Sequence, residues 1–138
     1  MSFKVIAKYI KKIEFNIPST KTFFLLSEEI KNYKIKIDIK SNQFRDKLLE
    51  IELTLKLESN KLNNNNILSK VVYSTIIELE DNIDKEKLEE IILVKVPTES
   101  YPGLRKIFIN IFESSGFKDI KIESKIDFKK LYEQRKNQ

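Results

Sequence analysis

Residues 100–116 read Ser-Tyr-Pro-Gly-Leu-Arg-Lys-Ile-Phe-Ile-Asn-Ile-Phe-Glu-Ser-Ser-Gly, and their apolar positions recur with the period of an α-helix. Five large apolar side chains at i, i+3, i+4, i+7 and i+8 share one helix face: Leu104, Ile107, Phe108, Ile111 and Phe112. Pro102 suits the first helical turn, where a missing N–H costs nothing, and Gly116 suits a left-handed stop. This helix needs a broad apolar surface to pack against.

Four upstream stretches alternate apolar and polar residues with the period of a β-strand. The predicted strands cover residues 3–17, 33–40, 49–58 and 67–79. Pro18 ends the first strand. One face of this strand is predicted to be apolar and consists of Val5, Ala7, Tyr9, Ile13, Phe15 and Ile17. Together these strands predict a sheet that supplies the surface the helix requires.

The connections between the strands are long. Residues 18–30 are predicted to be a connection, and they contain Phe23-Phe24-Leu25-Leu26. These four residues either plug the end of the core or form an exposed apolar lip. Residues 41–47 are predicted to be a turn, and residues 60–66 form an asparagine-rich loop with no chemistry of its own.

After residue 84 the pattern becomes helical. Asp84 is a suitable N-cap for an apolar stripe that Pro97 interrupts before the main helix. Residues 117–125 are predicted to be an extended connector, and Asp127 is a suitable N-cap for a short last helix over residues 128–135. Strands followed by helices predict an α+β fold: a four-stranded antiparallel sheet, then a broken long helix and a short C-terminal helix on one face, in one domain over residues 1–138.

Composition narrows the possible functions. The chain has no cysteine, no histidine and two glycines, which argues against a thiolate metal site, a histidine base and a phosphate-binding glycine loop. No catalytic constellation is visible, so we expect neither an enzyme nor a bound cofactor or metal. The formal net charge of +5 leaves nucleic acid as an alternative partner, although the lysines alternate with acids along the strands and helices.

The apolar surface exceeds what one subunit can bury. The first and fourth predicted strands carry apolar residues on both faces, and soluble monomers rarely expose apolar patches beyond a few hundred Å². Long edge strands also pair readily with copies of themselves. We therefore expect a homo-oligomer built from strand and helix contacts, with interface residues Val71, Tyr73, Leu104, Ile107, Phe108 and Ile111.

Several blocks resemble the SecB family of bacterial protein-export chaperones. The most specific is Ile126-Asp127-Phe128 followed by Leu131-Tyr132, which is similar to the family's Ile-Asp-Phe-x-x-Leu-Tyr ending. The segment Tyr9 to Pro18 resembles the family's first strand, and residues 71–79 its fourth. The remaining matches are short: Val96-Pro97, Tyr101-Pro102 with Arg105, and Gly116-Phe117.

The resemblance implies a cytoplasmic, ATP-independent holdase that keeps unfolded secretory precursors competent for export and passes them to the SecA motor. It also implies a homotetramer, a dimer of dimers. No segment approaches about 20 uninterrupted apolar residues, so we expect no membrane insertion, and we expect no nucleic-acid partner. Apolar grooves bind extended chains without reading their sequence. The candidate client-binding residues, each with core packing as its alternative role, are Phe15, Phe23, Phe24, Tyr33, Phe117, Phe128 and Leu131.

The surface that faces SecA in the family is acidic, and this chain departs from that pattern. Lys12, Asn16 and Lys70 stand where the family has acids, while Leu68 keeps the apolar character of its position. A basic SecA tail would meet repulsion on such a surface, so the holdase role transfers better than SecA docking. The alternatives are a SecB-like chaperone for another client, such as an antitoxin, and a basic nucleic-acid-binding α+β domain.

Overall fold

The computed structural model describes residues 3–30, 33–58, 68–118 and 120–136. In chain order its elements are β1 (Phe3–Asn16), α1 (Thr20–Glu29), β2 (Lys34–Arg45), β3 (Leu48–Glu58), β4 (Leu68–Leu79), α2 (Lys85–Glu90), a π-helical turn (Ile91–Lys95), α3 (Val96–Ser114) and α4 (Phe128–Lys136). The strands form one antiparallel sheet in the order β1-β4-β3-β2, so β1 and β2 are its edge strands. The expected α+β architecture is confirmed.

The core lies between one face of the sheet and the helices, and β3 shows how the sequence creates it. Leu49, Ile51, Leu53 and Leu55 are buried on the helix side, whereas the alternate residues point to the outer face of the sheet. Along α3 the deepest residues are spaced by four: Leu104, Phe108 and Phe112. Ile107 and Ile111 flank this stripe and are half-buried. The predicted apolar helix face is therefore correct, but only three of its five residues are fully buried.

The break before the main helix is a change of helical pitch. Asp84 accepts a hydrogen bond from the Lys87 N–H at 2.8 Å and caps α2, as expected. The helical path then widens into the π-helical turn and continues as α3, with Pro97 in its first turn. The prediction that Pro102 opens the main helix is wrong, because α3 continues through it. Pro102 and Thr98, whose carbonyl loses its N–H partner, are both exposed, where water can replace that bond.

The segment predicted as a connection between β1 and β2 contains a helix. The Ser19 hydroxyl caps α1 by accepting a hydrogen bond from the Thr22 N–H at 3.1 Å. Leu26 is fully buried in the main core, while Phe24 is 61% exposed. Both interpretations of the Phe23–Leu26 run therefore hold in part, since successive helical residues point in different directions.

Strand β1 does not keep one apolar face, and the prediction that it does is wrong. Its pairing with β4 shifts at two β-bulges, where Ile6 and Lys11 are the extra residues. Each bulge reverses which side chains point to the helices. Tyr9 consequently pairs opposite Ser74 on the outer face, and Ile10 pairs opposite Tyr73 on the helix side.

Strand β2 is longer than the sequence pattern indicated. It continues through most of the predicted 41–47 turn to Arg45, and only residues 46 and 47 form the turn to β3. Lys47 adopts a φ of 66° there, the left-handed conformation of a tight hairpin. The predicted asparagine-rich loop at residues 60–66 lies outside the described residues.

The two glycines of the chain should respond oppositely to Ala. Gly116 ends α3 with a φ of 99°, so Gly116→Ala should lower the free energy of unfolding by about 1–2 kcal/mol through backbone strain. The matched control is Gly103→Ala inside α3, where an added Cβ would lie 3.4 Å from the Tyr73 hydroxyl oxygen, an ordinary contact. Because Ala favours helix over Gly, the control should be neutral or stabilising in urea unfolding. Equal losses in both variants would contradict this account.

Candidate functional site

An apolar groove runs along the edge strand β2, and we call it the β2 groove. It consists of two neighbouring hollows that share Ile37, of about 300 Å³ and about 250 Å³. The α4 hollow is lined by Ile37, Asp38, Ile39, Leu93, Phe128, Leu131, Tyr132 and Arg135. The connector hollow is lined by Tyr33, Ile35, Ile37, Leu55, Tyr101, Lys121, Ile122, Glu123 and Ile126.

The lining of the β2 groove is suited to receive apolar side chains from a bound chain. Its floor is made of β-branched and aromatic groups, because β2 turns Ile35, Ile37 and Ile39 toward the helices. Charged residues such as Asp38 and Arg135 lie at its rim and are exposed. Each hollow falls at or below the lower end of the sizes typical of small-molecule sites, and suits apolar side chains of an extended chain.

Two polar contacts hold the connector that walls the groove. The Tyr101 hydroxyl donates to the Glu123 carbonyl at 2.6 Å, and the Arg105 Nε donates to the Ile122 carbonyl at 3.1 Å. Burial raises the pKa of the Tyr101 phenol, which keeps its proton available for this bond. An extended segment without secondary structure is thereby fixed against α3.

Helix α4 forms the other wall. Asp127 caps it by accepting from the Lys130 N–H at 2.9 Å, as expected, and Phe128 is buried against the Tyr101 ring at a centroid distance of 6.1 Å. The Tyr132 hydroxyl donates to Glu89 on α2 at 3.2 Å. Leu131, by contrast, is 48% exposed and faces the α4 hollow. The helix is anchored on one side and presents an apolar side chain on the other.

The structure separates the candidate client-binding residues into three groups. Tyr33, Phe128 and Leu131 line the β2 groove. A second set packs as an aromatic cluster around Phe112: the Phe15 and Phe112 rings lie 5.1 Å apart, the Phe112 and Phe117 rings 5.7 Å, and the Phe117 and Phe23 rings 4.8 Å. Phe24 stands exposed beside Phe23 and lines neither hollow of the β2 groove.

Sequence reasoning missed most of the groove floor. The alternation over residues 33–40 predicts a strand, but nothing in it indicates that β2 is an edge strand. Tyr101 and Arg105 stood in the resemblance without a physical role, and their bonds to the connector supply one. Residues of the floor and wall absent from the candidate set include Ile35, Ile37, Ile39, Leu93, Ile122 and Ile126.

Three of the six expected interface residues are core residues of the single chain. Val71, Leu104 and Phe108 are each at most 1% exposed, so they have no surface left for a neighbouring subunit, and this expectation is corrected. Tyr73, Ile107 and Ile111 remain half-buried. Exposed apolar side chains are instead found along the edge strand β1, where Ile6, Ile10 and Ile13 are 44–49% exposed.

The outer face of the sheet carries a polar network that crosses all four strands. From the second bulge of β1, the Lys11 Nζ reaches over β4 to Glu50 at 3.0 Å and Glu52 at 2.9 Å. The Tyr9 hydroxyl donates to Glu50, and the Asn42 amide donates to Glu52 at 2.9 Å. The hydrogen bond from Tyr9, more than any other contact, lowers the pKa of the Glu50 carboxyl.

Tyr9→Phe should therefore make stability less dependent on acid. A carboxyl with a lowered pKa stabilises the fold above its unfolded pKa, and that contribution disappears as the pH falls through the folded pKa. We expect a loss of about 1 kcal/mol in the free energy of unfolding at pH 7. Urea unfolding over a series of falling pH values should show the difference from the parent chain shrinking as Glu50 becomes protonated in the folded state. A difference that stays the same size throughout the acid series would contradict this role.

The positions expected from the family resemblance to face SecA fall on the same outer face in the strand register. Lys12 pairs opposite Val72 and its Nζ is 3.6 Å from Glu14, while Lys70 pairs opposite Glu14. Asn16 is exposed at the end of β1, where it pairs opposite Leu68, whose side chain lies outside the described set. The described part of this surface is mixed in charge and basic at positions 12 and 70.

Two other kinds of site were looked for in the described ranges. Within residues 3–30, 33–58, 68–118 and 120–136, no three His, Cys, Asp or Glu side chains come together as metal ligands would. None of the helices in those ranges combines the length and apolarity needed to cross a bilayer.

Comparison with known proteins identifies the family of the chain. The family model described as "Preprotein translocase subunit SecB" matches residues 1–138. A relative from Pelagibacter ubique, provisionally named a protein-export protein SecB, is 35% identical over 99% of this chain and 98% of its own length. The protein-export protein SecB of Paraburkholderia phymatum is 25% identical over 96% of this chain and 83% of its own length.

A solved structure supports the fold. A SecB-like chaperone from Mycobacterium tuberculosis, solved in complex with an antitoxin peptide, superimposes with a TM-score of 0.61 over 88% of each chain at 8% identity. The architecture therefore persists where sequence similarity has almost vanished. Together with the match along the full sequence, this shows that the chain belongs to the SecB family.

Proposed function

We propose that this chain is an ATP-independent holdase that binds unfolded precursor proteins and keeps them competent for export. The observation that carries the proposal is the β2 groove, with Ile37 on the floor of both hollows and Leu131 exposed at the wall. Family membership supports a chaperone of preprotein export.

The groove and its edge strand would act together on an extended client. An apolar floor gains free energy from any large apolar side chain removed from water, at roughly 25 cal/mol per Å². Because β2 is an edge strand, a client's main chain could also pair along it, and main-chain pairing is independent of sequence. Both terms favour unfolded chains, since folded proteins hide their apolar groups and strand edges.

The finer features of the proposal go beyond the groove. We include a single domain over residues 1–138, a homotetramer, cytoplasmic location and the absence of enzymatic activity. The exposed isoleucines of edge strand β1 support strand pairing between subunits. SecA is retained as a partner only through contacts other than an acidic sheet surface, because Lys12 and Lys70 would repel a basic tail.

The test is suppression of aggregation. In the absence of ATP, a stoichiometric amount of this chain should keep a reduced, unfolded test protein soluble. This protection against aggregation should persist or increase as the salt concentration rises. Binding to RNA that weakens steeply with salt, without protection of the test protein, would instead support the nucleic-acid alternative. The mass in solution provides a second measurement, in which a monomer would contradict the tetramer.

A further inference from the structure

The two hollows of the β2 groove meet at one side chain. Ile37 lines both of them, whereas Ile35 lines only the connector hollow and Ile39 only the α4 hollow. All three isoleucines turn toward the helices from the same strand. Because residues i and i+2 of a strand are about 7 Å apart, the hollows lie side by side along β2, on either side of Ile37 and roughly 7 Å from one another.

The β2 residues on the other side of the strand are polar. Lys34 and Lys40, at the two ends of the isoleucine row, are exposed, and Asp38 lies exposed at the rim of the α4 hollow. A client residue that points away from the hollows would therefore lie beside charged groups and water. An apolar side chain gains no burial there, whereas a polar side chain keeps its hydration.

An extended client chain has the spacing that the two hollows require. Its consecutive side chains point to opposite sides, so residues i and i+2 lie on one side about 7 Å apart. This distance matches the separation of the hollows, and the match does not depend on the direction in which the client runs. Residues i and i+3 of an extended chain point to opposite sides, so they cannot occupy both hollows together.

We propose that the β2 groove selects clients by two large apolar residues at i and i+2 with a polar residue between them, and that Ile37 separates the two subsites. This inference rests on the proposed holdase function and specifies its substrate class. The preferred segments have the period-two pattern of amphipathic β-strands. A segment with the helical pattern i, i+3 and i+4 would place only one apolar side chain in the groove at a time.

The first test uses the full chain and three fluorescein-labelled twelve-residue peptides of Ser and Gly. One carries two Phe residues at i and i+2 with Ser between them, one carries them at i and i+3, and one carries a single Phe. In fluorescence anisotropy the i, i+2 peptide should bind about tenfold more tightly than the i, i+3 peptide, because it buries one more large apolar side chain. The other two should agree within about twofold, the statistical factor for two equivalent Phe residues.

The second test compares Ile37→Ala with Ile35→Ala, which truncate half-buried side chains on the same face of β2. Ile37→Ala removes contacts from both hollows, so the single-Phe peptide should lose about threefold in affinity. Ile35→Ala leaves the α4 hollow intact, so the same peptide should lose less than about twofold. Melting temperatures should fall by similar amounts in the two variants, so a folding defect cannot produce this difference.

Equal affinities of the i, i+2 and i, i+3 peptides would overturn the spacing rule, as would the absence of binding by all three. Equal losses of the single-Phe peptide in the two variants would overturn the role of Ile37. Suppression of aggregation, measured on the same preparation, separates these failures from failure of the holdase function. A chain that protects the test protein without distinguishing the peptides is a holdase without the spacing rule, whereas a chain that does not protect it contradicts the proposed function itself.

Discussion

Phe112→Ala should lower the free energy of unfolding by about 3–5 kcal/mol, because it opens a cavity where α3 meets the aromatic cluster. Phe112 is fully buried, and its ring lies 5.1 Å from the Phe15 and Phe108 rings and 5.7 Å from the Phe117 ring. Domains of this size are stable by only about 5–15 kcal/mol, so the variant should be close to unfolding.

Urea unfolding measures this loss, and Phe24→Ala is its matched control. Phe24 is 61% exposed on α1, so the same truncation there should cost less than about 1 kcal/mol. Phe112→Leu should fall between the two, because Leu refills part of the cavity. If the free energy of unfolding of Phe112→Ala were no lower than that of Phe24→Ala, the aromatic cluster around Phe112 would not be a main source of core stability.

Leu131→Glu should weaken client holding by about tenfold or more while leaving the fold intact. The substitution puts a carboxylate into the wall of the α4 hollow, where a bound client side chain would have to remove it from water. Leu131 is 48% exposed, and Arg135 one turn later can pair with the new acid, so α4 should lose no stability. Titrating the variant against a labelled unfolded protein measures the change in affinity.

The control for this variant is Phe44→Glu. Phe44 is 68% exposed at the end of β2 next to the hairpin turn and lines neither hollow of the β2 groove. Phe44→Glu therefore makes the same change from apolar to acidic at a site outside the groove. Client affinity should stay within twofold of the parent chain. If both variants lose affinity equally, clients bind by diffuse hydrophobic contact and the β2 groove is not the site.

The C-terminal half of the fold was predictable because its signals are local. Asp84 and Asp127 sit before apolar helical patterns, and both accept the predicted cap hydrogen bonds. Gly116 occurs where α3 must end and adopts the positive φ that the prediction requires. The cap and stop positions could be read directly because each depends on a few neighbouring residues.

The N-terminal half was harder because tertiary contacts decide it. Helix α1 carries Phe and Thr residues of modest helix propensity, and its burial against Phe117 is absent from the sequence pattern. The position of β2 at the sheet edge, which creates the groove, follows from the strand order β1-β4-β3-β2 and not from its own alternation. The candidate site was therefore predicted only at Tyr33, Phe128 and Leu131.

The two bulges of β1 constrain how this strand can change length. Helix-side residues occupy odd positions up to Val5, even positions between the bulges at Ile6 and Lys11, and odd positions again from Ile13. Deleting either extra residue would leave every other residue opposite its present partner, because its two neighbours already face opposite sides of the sheet, as consecutive residues of a regular strand do. Deleting a residue away from the bulges would instead put part of the strand out of phase, so single-residue deletions in this strand should be tolerated at Ile6 and Lys11 and not elsewhere.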